Sequence, residues 1–286
     1  MKRFLISSIT GVLLSITAIP AFSMEDITLK SSSGDRTVKL ALPELNGKKV
    51  PVIIALHGGL GNAKRFARDT ELHGYANEQG YAVAYLNGSG TVRFNNARTW
   101  NAGDCCGPAA RRKINDIEII DQLITNLKHR INADPKRIYL AGFSNGAMMA
   151  YRYACEGNQP IAGVFGVGGT LAIDQCSQTI PYVLHVHGSK DENVPLLGGS
   201  AKKSRTKYSH ISVYDHFELL QKDQACHSPR AESYRVGLQG ISYKCNESKH
   251  NLLIVSKGDH RWYRSDNNSV RYDATINAVD FFTKIK

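Results

Sequence analysis

Residues 137 to 146 read Arg137-Ile138-Tyr139-Leu140-Ala141-Gly142-Phe143-Ser144-Asn145-Gly146. The first five favour a β-strand, through Ile138, Tyr139 and Leu140. The run Ala147-Met148-Met149-Ala150-Tyr151-Arg152-Tyr153-Ala154 that follows favours a helix. A strand that turns directly into a helix through Gly-x-Ser-x-Gly carries its Ser on a sharp, strained turn, with the hydroxyl projecting from the C-terminal edge of a sheet. The flanking glycines let strand and helix approach closely. The helix N-terminus beside the Ser favours a negative charge developing there.

Outward from this turn, short apolar runs recur. Val52-Ile53-Ile54-Ala55-Leu56 is continuous, as in a strand buried on both faces. Tyr81 to Leu86, Val164 to Val167, Tyr182 to Val186 and Leu252 to Val255 are further strands. Ile27 to Lys30 and Arg36 to Leu42 alternate polar with apolar residues and read as a hairpin turning at Ser33-Gly34-Asp35. Between the strands, Ile114 to Ile131 places Ile117, Ile120, Ile124, Leu127 and Ile131 on one helical face, and Asn132-Ala133-Asp134-Pro135 stops it. Strands alternating with helices imply an α/β fold, a mostly parallel sheet with helices on both faces. Sites in such sheets lie beyond the carboxyl ends of the strands.

A Ser hydroxyl needs a base to become a nucleophile. The run Leu252 to Val255 leads into Ser256-Lys257-Gly258-Asp259-His260, which makes His260 the base. The run Tyr182 to Val186 leads into His187-Gly188-Ser189-Lys190-Asp191-Glu192, which makes Asp191 the acid, with Glu192 as its rival. His187 reads as a strand-end structural residue; His73, His210, His216, His227 and His250 lack the placement of a base and read as surface or packing residues. An oxyanion hole needs backbone N–H groups aimed at the developing charge. Asn145 follows the nucleophile, and His57-Gly58-Gly59-Leu60-Gly61 follows the buried Val52 run. The amides of Asn145 and Gly59 are the expected donors, with Leu60 as the alternative to Gly59. Ser, acid and His in that chain order, each after its own strand, match the α/β-hydrolase fold.

The first residues read as a leader. Lys2 and Arg3 precede an apolar run, and Ala21-Phe22-Ser23 is a small-x-small cleavage signal, so residues 1 to 23 are expected to be a signal peptide. Pro20 interrupts the run, against a membrane anchor. Residues 24 to 286 then form a single catalytic domain, secreted or periplasmic, with no integral membrane segment. Six cysteines, Cys105, Cys106, Cys155, Cys176, Cys226 and Cys245, read as disulfides in an exported chain. Cys226 and Cys245 flank a β-hairpin and are expected to pair. The other four are expected to link the Cys105-Cys106 loop to Cys155 and Cys176, since adjacent cysteines rarely bond each other. Zinc is the rival reading, but the spacing lacks chelating pairs, so no metal and no cofactor are expected. The net charge is +11, densest at Lys202, Lys203, Arg205 and Lys207. This run reads as a solvated loop, and no nucleic-acid-binding motif accompanies it.

The chain resembles the exported esterases that include polyhydroxybutyrate depolymerases, feruloyl esterases and acetylxylan esterases. The resemblance is carried by Leu56-His57-Gly58-Gly59, Trp100-Asn101-Ala102-Gly103-Asp104-Cys105-Cys106-Gly107, Asn115-Asp116-Ile117, the Gly142 to Arg152 stretch, His185-Val186-His187-Gly188 with Asp191, and Gly258-Asp259-His260-Arg261-Trp262. It implies Ser144, Asp191 and His260 as the triad and puts the Trp100 to Gly107 loop near the acyl pocket. Tyr263-Arg264-Ser265 departs from the Pro-Gly ending common around the base. Phe143 and Asp259 stand where one feruloyl esterase subgroup has cysteines. No linker or substrate-binding module is recognisable, against attack on solid polyester.

The expectation is therefore a monomeric serine carboxylic-ester hydrolase of feruloyl or acetyl type, acting on small-molecule or polysaccharide-linked esters. Trp100 and Trp262, beside the site motifs, are the expected substrate-stacking residues. The alternatives are a depolymerase of polyhydroxyalkanoate or its soluble oligomers, and a non-catalytic binding protein on the same fold.

Overall fold

The computed structural model describes residues 24–90, 96–201, 203 and 208–285. The expected leader, and Lys202, Arg205 and Lys207 of the basic run, lie outside the described residues. Ten strands form one sheet: β1 (Met24–Leu29), β2 (Arg36–Ala41), β3 (Val50–Leu56), β4 (Ala82–Leu86), β5 (Ala133–Phe143), β6 (Gly163–Val167), β7 (Tyr182–Gly188), β10 (Arg230–Arg235), β11 (Leu238–Lys244) and β12 (Lys249–Val255). The short strands β8 (Gly199–Ser200) and β9 (Ser209–His210) pair separately.

The order across the sheet is β1-β2-β4-β3-β5-β6-β7-β12-β11-β10. From β4 to β12 every neighbour is parallel. Antiparallel pairs finish both edges. The first edge is the hairpin read from the alternating pattern, with Leu29 opposite Arg36.

The sheet is covered on both faces because its central strands are apolar on both. In β3, Val52, Ile54 and Leu56 belong to the core shared with α4 (Asp116–Arg130), α5 (Asn145–Glu156) and α6 (Val213–Gln221). Ile53 and Ala55, pointing the other way, pack with α1 (Ala63–Thr70), α2 (Leu72–Glu78) and α7 (Ala274–Thr283). The short α3 (Gly107–Arg111) lies at the carboxyl edge of the sheet. Helix α4 starts where the Asn115 side chain accepts from the Glu118 N–H, and its last turn carries Lys128, His129 and Arg130. Its buried stripe is Ile119, Ile120, Leu123, Ile124 and Leu127; Ile117 is only half-buried. The apolar face is therefore turned slightly from the one spacing alone suggests.

The cysteines pair as Cys226–Cys245, Cys155–Cys176 and Cys105–Cys106. The last two correct the expectation that the Cys105-Cys106 loop is tied to Cys155 and Cys176. Cys106 Sγ lies 3.8 Å from Met148 Sδ on the first turn of α5, whereas Cys155 is in its last turn. Seven residues of helix put about 10 Å between those positions. Cys155 instead meets Cys176 at a Cα separation of 4.7 Å.

Candidate active site

The turn from β5 to α5 is as sharp as the sequence suggests. Ser144 sits at φ 54° and ψ −124°, a strained conformation for a residue with a side chain. A Cβ on Gly142 would run into Gly146 O and Ala147 N, and one on Gly146 into the carbonyls of Leu56 and His57. Both positions therefore have to be glycine for α5 to lie against β5 and β3.

The turn presents Ser144 to residues from two other strand ends. The Ser144 hydroxyl donates to His260 Nε2 at 2.9 Å, and His260 Nδ1–H donates to Asp191 Oδ2 at 2.7 Å. Asp191 is buried, and its Oδ1 accepts from the Asn193 and Val194 N–H groups at 2.9 and 2.8 Å. Burial pushes the Asp191 carboxyl up; the His260 hydrogen bond, the electrostatic pull of the His260 and His187 imidazoles and the Val194 N–H outweigh it, leaving the carboxyl below its usual range. An ionised acid that fixes the Nδ1–H tautomer leaves Nε2 free to take the Ser proton. The rival Glu192 points elsewhere, paired with Lys203.

The loop that carries Asp191 is anchored by His187, the strand-end structural residue, through a hydrogen-bonded chain that the sequence reading did not foresee. His187 Nε2 bonds Val194 O at 2.8 Å; a carbonyl only accepts, so Nε2 carries the proton. His187 Nδ1 then accepts from His185 Nε2–H at 2.9 Å, and His185 Nδ1 accepts from the Tyr151 hydroxyl at 2.7 Å. Tyr151, His185 and His187 are fully buried, and burial holds both histidines neutral. This directed chain runs from the middle of α5 to the Asp191 loop. Alternate residues of a strand face the same side, so His185 and His187 on β7 were the available signal.

On the other side of Ser144 stand the expected oxyanion donors. The Leu60 N–H is already taken by Arg98 O at 2.7 Å, which removes the alternative. The Gly59 and Asn145 N–H groups have no acceptor among the described residues, and both residues line the cleft with Ser144. His57 anchors the Gly59 loop: its Nδ1–H donates to Gly58 O and its Nε2 accepts from the Gly88 N–H. Burial lowers its pKa to about 4, so it stays neutral.

The cleft over Ser144 has a volume of about 630 Å³. Leu60, Phe143, Met148 and Val194 supply its apolar lining, with Cys106 and Gly107 from the Trp100 to Gly107 loop. Neither tryptophan lines it, which corrects the stacking expectation. Trp100 is fully buried: its Nε1–H donates to His57 O at 2.8 Å, and its backbone exchanges two hydrogen bonds with the Asn145 side chain. It thus ties the two candidate oxyanion donors' segments together. Trp262 is 7% exposed, packs against Phe66 and Phe165 under the sheet, and donates to Thr275 Oγ1. Asp116 accepts from the Asn101 N–H and so supports the Trp100 loop from below; burial raises its pKa to about 6.

The chain belongs to the phospholipase/carboxylesterase family, whose sequence profile matches residues 45–231. It is 28% identical over 190 residues to feruloyl esterase B of Piromyces equi, covering 63% of this chain and 33% of that protein. It is 25% identical over 190 residues to the bifunctional acetylxylan esterase/xylanase XynS20E of Neocallimastix patriciarum, covering 65% of this chain and 26% of that protein. The matches thus span about a third or less of these relatives' length. Among solved structures, the acetyl xylan esterase of Aspergillus awamori superimposes with a TM-score of 0.62 at 13% identity, covering 91% of this chain and 99% of that one. At that identity the likeness is one of fold, an α/β-hydrolase fold. Among the described residues no helix is long and apolar enough to cross a membrane.

Proposed function

We propose that this chain is an exported, single-domain serine carboxylic-ester hydrolase. The observation that carries the reading is the hydrogen-bonded series Ser144, His260, Asp191 opening into a cleft faced by two unused backbone N–H groups. His260 Nε2 takes the Ser144 proton as Oγ attacks the ester carbonyl, and Asp191 stabilises the imidazolium. The Gly59 and Asn145 amides receive the oxyanion. The imidazolium returns its proton to the departing alcohol oxygen, leaving an acyl-Ser144. Water, deprotonated by His260, releases the acid and regenerates Ser144. No residue in this cycle calls for a metal or an organic cofactor.

The substrates are small soluble esters, with hydroxycinnamoyl and acetyl esters of plant polysaccharides as the natural class suggested by the relatives. The apolar side chains of the cleft suit an acyl or aryl group. Aromatic stacking on tryptophan no longer supports the hydroxycinnamoyl arm, so that arm rests on the relatives' names and on Phe143. A panel of acetyl, hydroxycinnamoyl and 3-hydroxybutyryl esters tests the reading. Turnover of at least one soluble ester, lost in Ser144→Ala, is expected. Turnover of none of them, or faster attack on a polyhydroxybutyrate film than on any soluble ester, would overturn it.

A further inference from the structure

A second cavity, of about 1010 Å³, adjoins the cleft. The two share Cys106, Gly107 and Arg111 in their linings, so they lie side by side. The second part is walled by three cations: Arg111 at the end of α3, Lys113 just after it, and Arg152 on α5. Asp104 is the one acidic residue among the described residues that line it.

The three cations are differently held. Arg111 and Lys113 are exposed and have no carboxylate partner among the described residues. Arg152 is fixed: its Nε donates to Glu156 at 2.8 Å and its Nη1 to Asn101 O at 2.8 Å. Arg152 lines the cavity, and its Nη2 has no hydrogen-bond partner among the described residues. A guanidinium oriented in this way recognises a carboxylate better than a mobile ammonium does.

The position of Arg152 sets a length. Ser144, Met148 and Arg152 follow one another at intervals of four along α5, and so lie on one face of it. Eight residues of helix span about 12 Å. Helical side chains lean toward the N-terminus, which brings the Arg152 guanidinium back toward Ser144, to roughly 6–10 Å from the reacting carbonyl.

We propose that this second cavity is a carboxylate subsite, and that the enzyme selects esters bearing a free carboxylate some six to ten ångströms (roughly, from the same helix geometry) from the scissile carbonyl. Arg152 is its fixed donor, and Arg111 and Lys113 close over the anion. The proposal rests on the esterase reading above and names the substrate class of that site.

The test compares ester pairs that differ only in whether the remote carboxylate is methylated. p-Nitrophenyl hydrogen succinate, adipate and suberate, each with its methyl-capped partner, place the carboxylate in the acyl part. 6-Acetoxyhexanoate and its methyl ester place it in the alcohol part. In the wild type, kcat/KM should favour the free carboxylate at least tenfold in one of the two placements, mostly through KM, most at adipate or suberate and less at high salt. In Arg152→Gln the preference should fall to within about twofold of none, with Arg152→Lys retaining part of it. Arg111→Gln and Lys113→Gln, at exposed positions, should each reduce it and carry the test if Arg152→Gln does not fold.

Equal kcat/KM for capped and free esters in both placements would overturn the subsite while leaving the esterase reading intact. So would a preference that survives all three substitutions. If no ester is hydrolysed, calorimetric titration with adipate decides. Binding lost in Arg152→Gln would uphold the subsite and refute the esterase reading, and absence of binding would refute both.

Discussion

Lowering the pH from 7.5 to 5 should destabilise this protein through its buried histidines. His57 and His216 are buried and neutral, with pKa values lowered by burial to about 4 and about 3. In the unfolded chain each titrates near pH 6.5. A folded pKa below the unfolded one means that the unfolded state takes up protons first. The stability these groups confer is complete above about pH 6.5 and is lost as pH falls toward the folded values. At pH 5 each costs about 2 kcal/mol, or about 4 kcal/mol together. Asp116 acts in the opposite direction: burial raises its pKa to about 6, so protonation in the folded state returns about 1 kcal/mol at pH 5. The net loss is about 3 kcal/mol, and His210, lowered by burial to about 4, adds to it. Against a typical total of about 5–15 kcal/mol this is a large fraction. With a urea slope of about 2–3 kcal/mol per molar, the unfolding midpoint should fall by about 1–1.5 M between pH 7.5 and 5. The assay is urea unfolding of the disulfide-intact protein at both pH values, followed by tryptophan fluorescence. A midpoint that stays constant or rises would show that these histidines are solvated or charged in the folded state, and the account of His57 as a neutral loop anchor would fail with it.

Asp191→Asn should lower kcat by about four orders of magnitude, because the amide favours the wrong imidazole tautomer, whereas Glu192→Gln should stay within a few-fold of wild type; steady-state kinetics that reversed the two would reassign the acid. Trp100→Phe removes the donor to His57 O and leaves that carbonyl without its partner, so the urea midpoint should drop by the equivalent of about 1–3 kcal/mol, and kcat should fall more than KM changes if the bond also holds the Gly59 loop in register. His185→Phe strands the Tyr151 hydroxyl and His187 Nδ1 in the core, which should cost roughly 2–6 kcal/mol; a stability loss below about 1 kcal/mol, half the smallest cost expected for the two groups together, would show the chain to be unimportant.

The parts of this molecule that were legible in its sequence are those where backbone geometry and side-chain type constrain each other. The Gly142 to Gly146 turn admits no other residues at its ends, because Gly146 O and Ala147 N occupy the space a Cβ would need at Gly142, and the carbonyls of Leu56 and His57 the space at Gly146. The apolar runs around Val52 and Leu252 are continuous because those strands are covered on both faces. The two tryptophans misled because proximity in sequence to a site motif says nothing of which way an indole points. Trp100 turns inward to reach His57 O, and Trp262 packs beneath the sheet. Cys226 and Cys245 pair as expected, but the other four cysteines misled for a related reason: the length of α5, which keeps Cys155 from Cys106, matters only once the helix has a direction in space. The Tyr151–His185–His187 chain joins a helix to a strand; the alternate histidines of β7 signal a shared face, but nothing in α5 marks Tyr151 as their partner.

The central claim is that Ser144 is a nucleophile activated by His260. It is tested most directly by treating the folded protein with a fluorophosphonate probe and locating the modification by peptide mass spectrometry. The account predicts stoichiometric labelling at Ser144, none in Ser144→Ala, and labelling of His260→Ala slowed by orders of magnitude, since triad members act as a unit. Labelling at another residue, equal labelling rates with and without His260, or a Ser144→Ala variant that keeps about a tenth of wild-type turnover, far above the loss expected for a nucleophile, would contradict it.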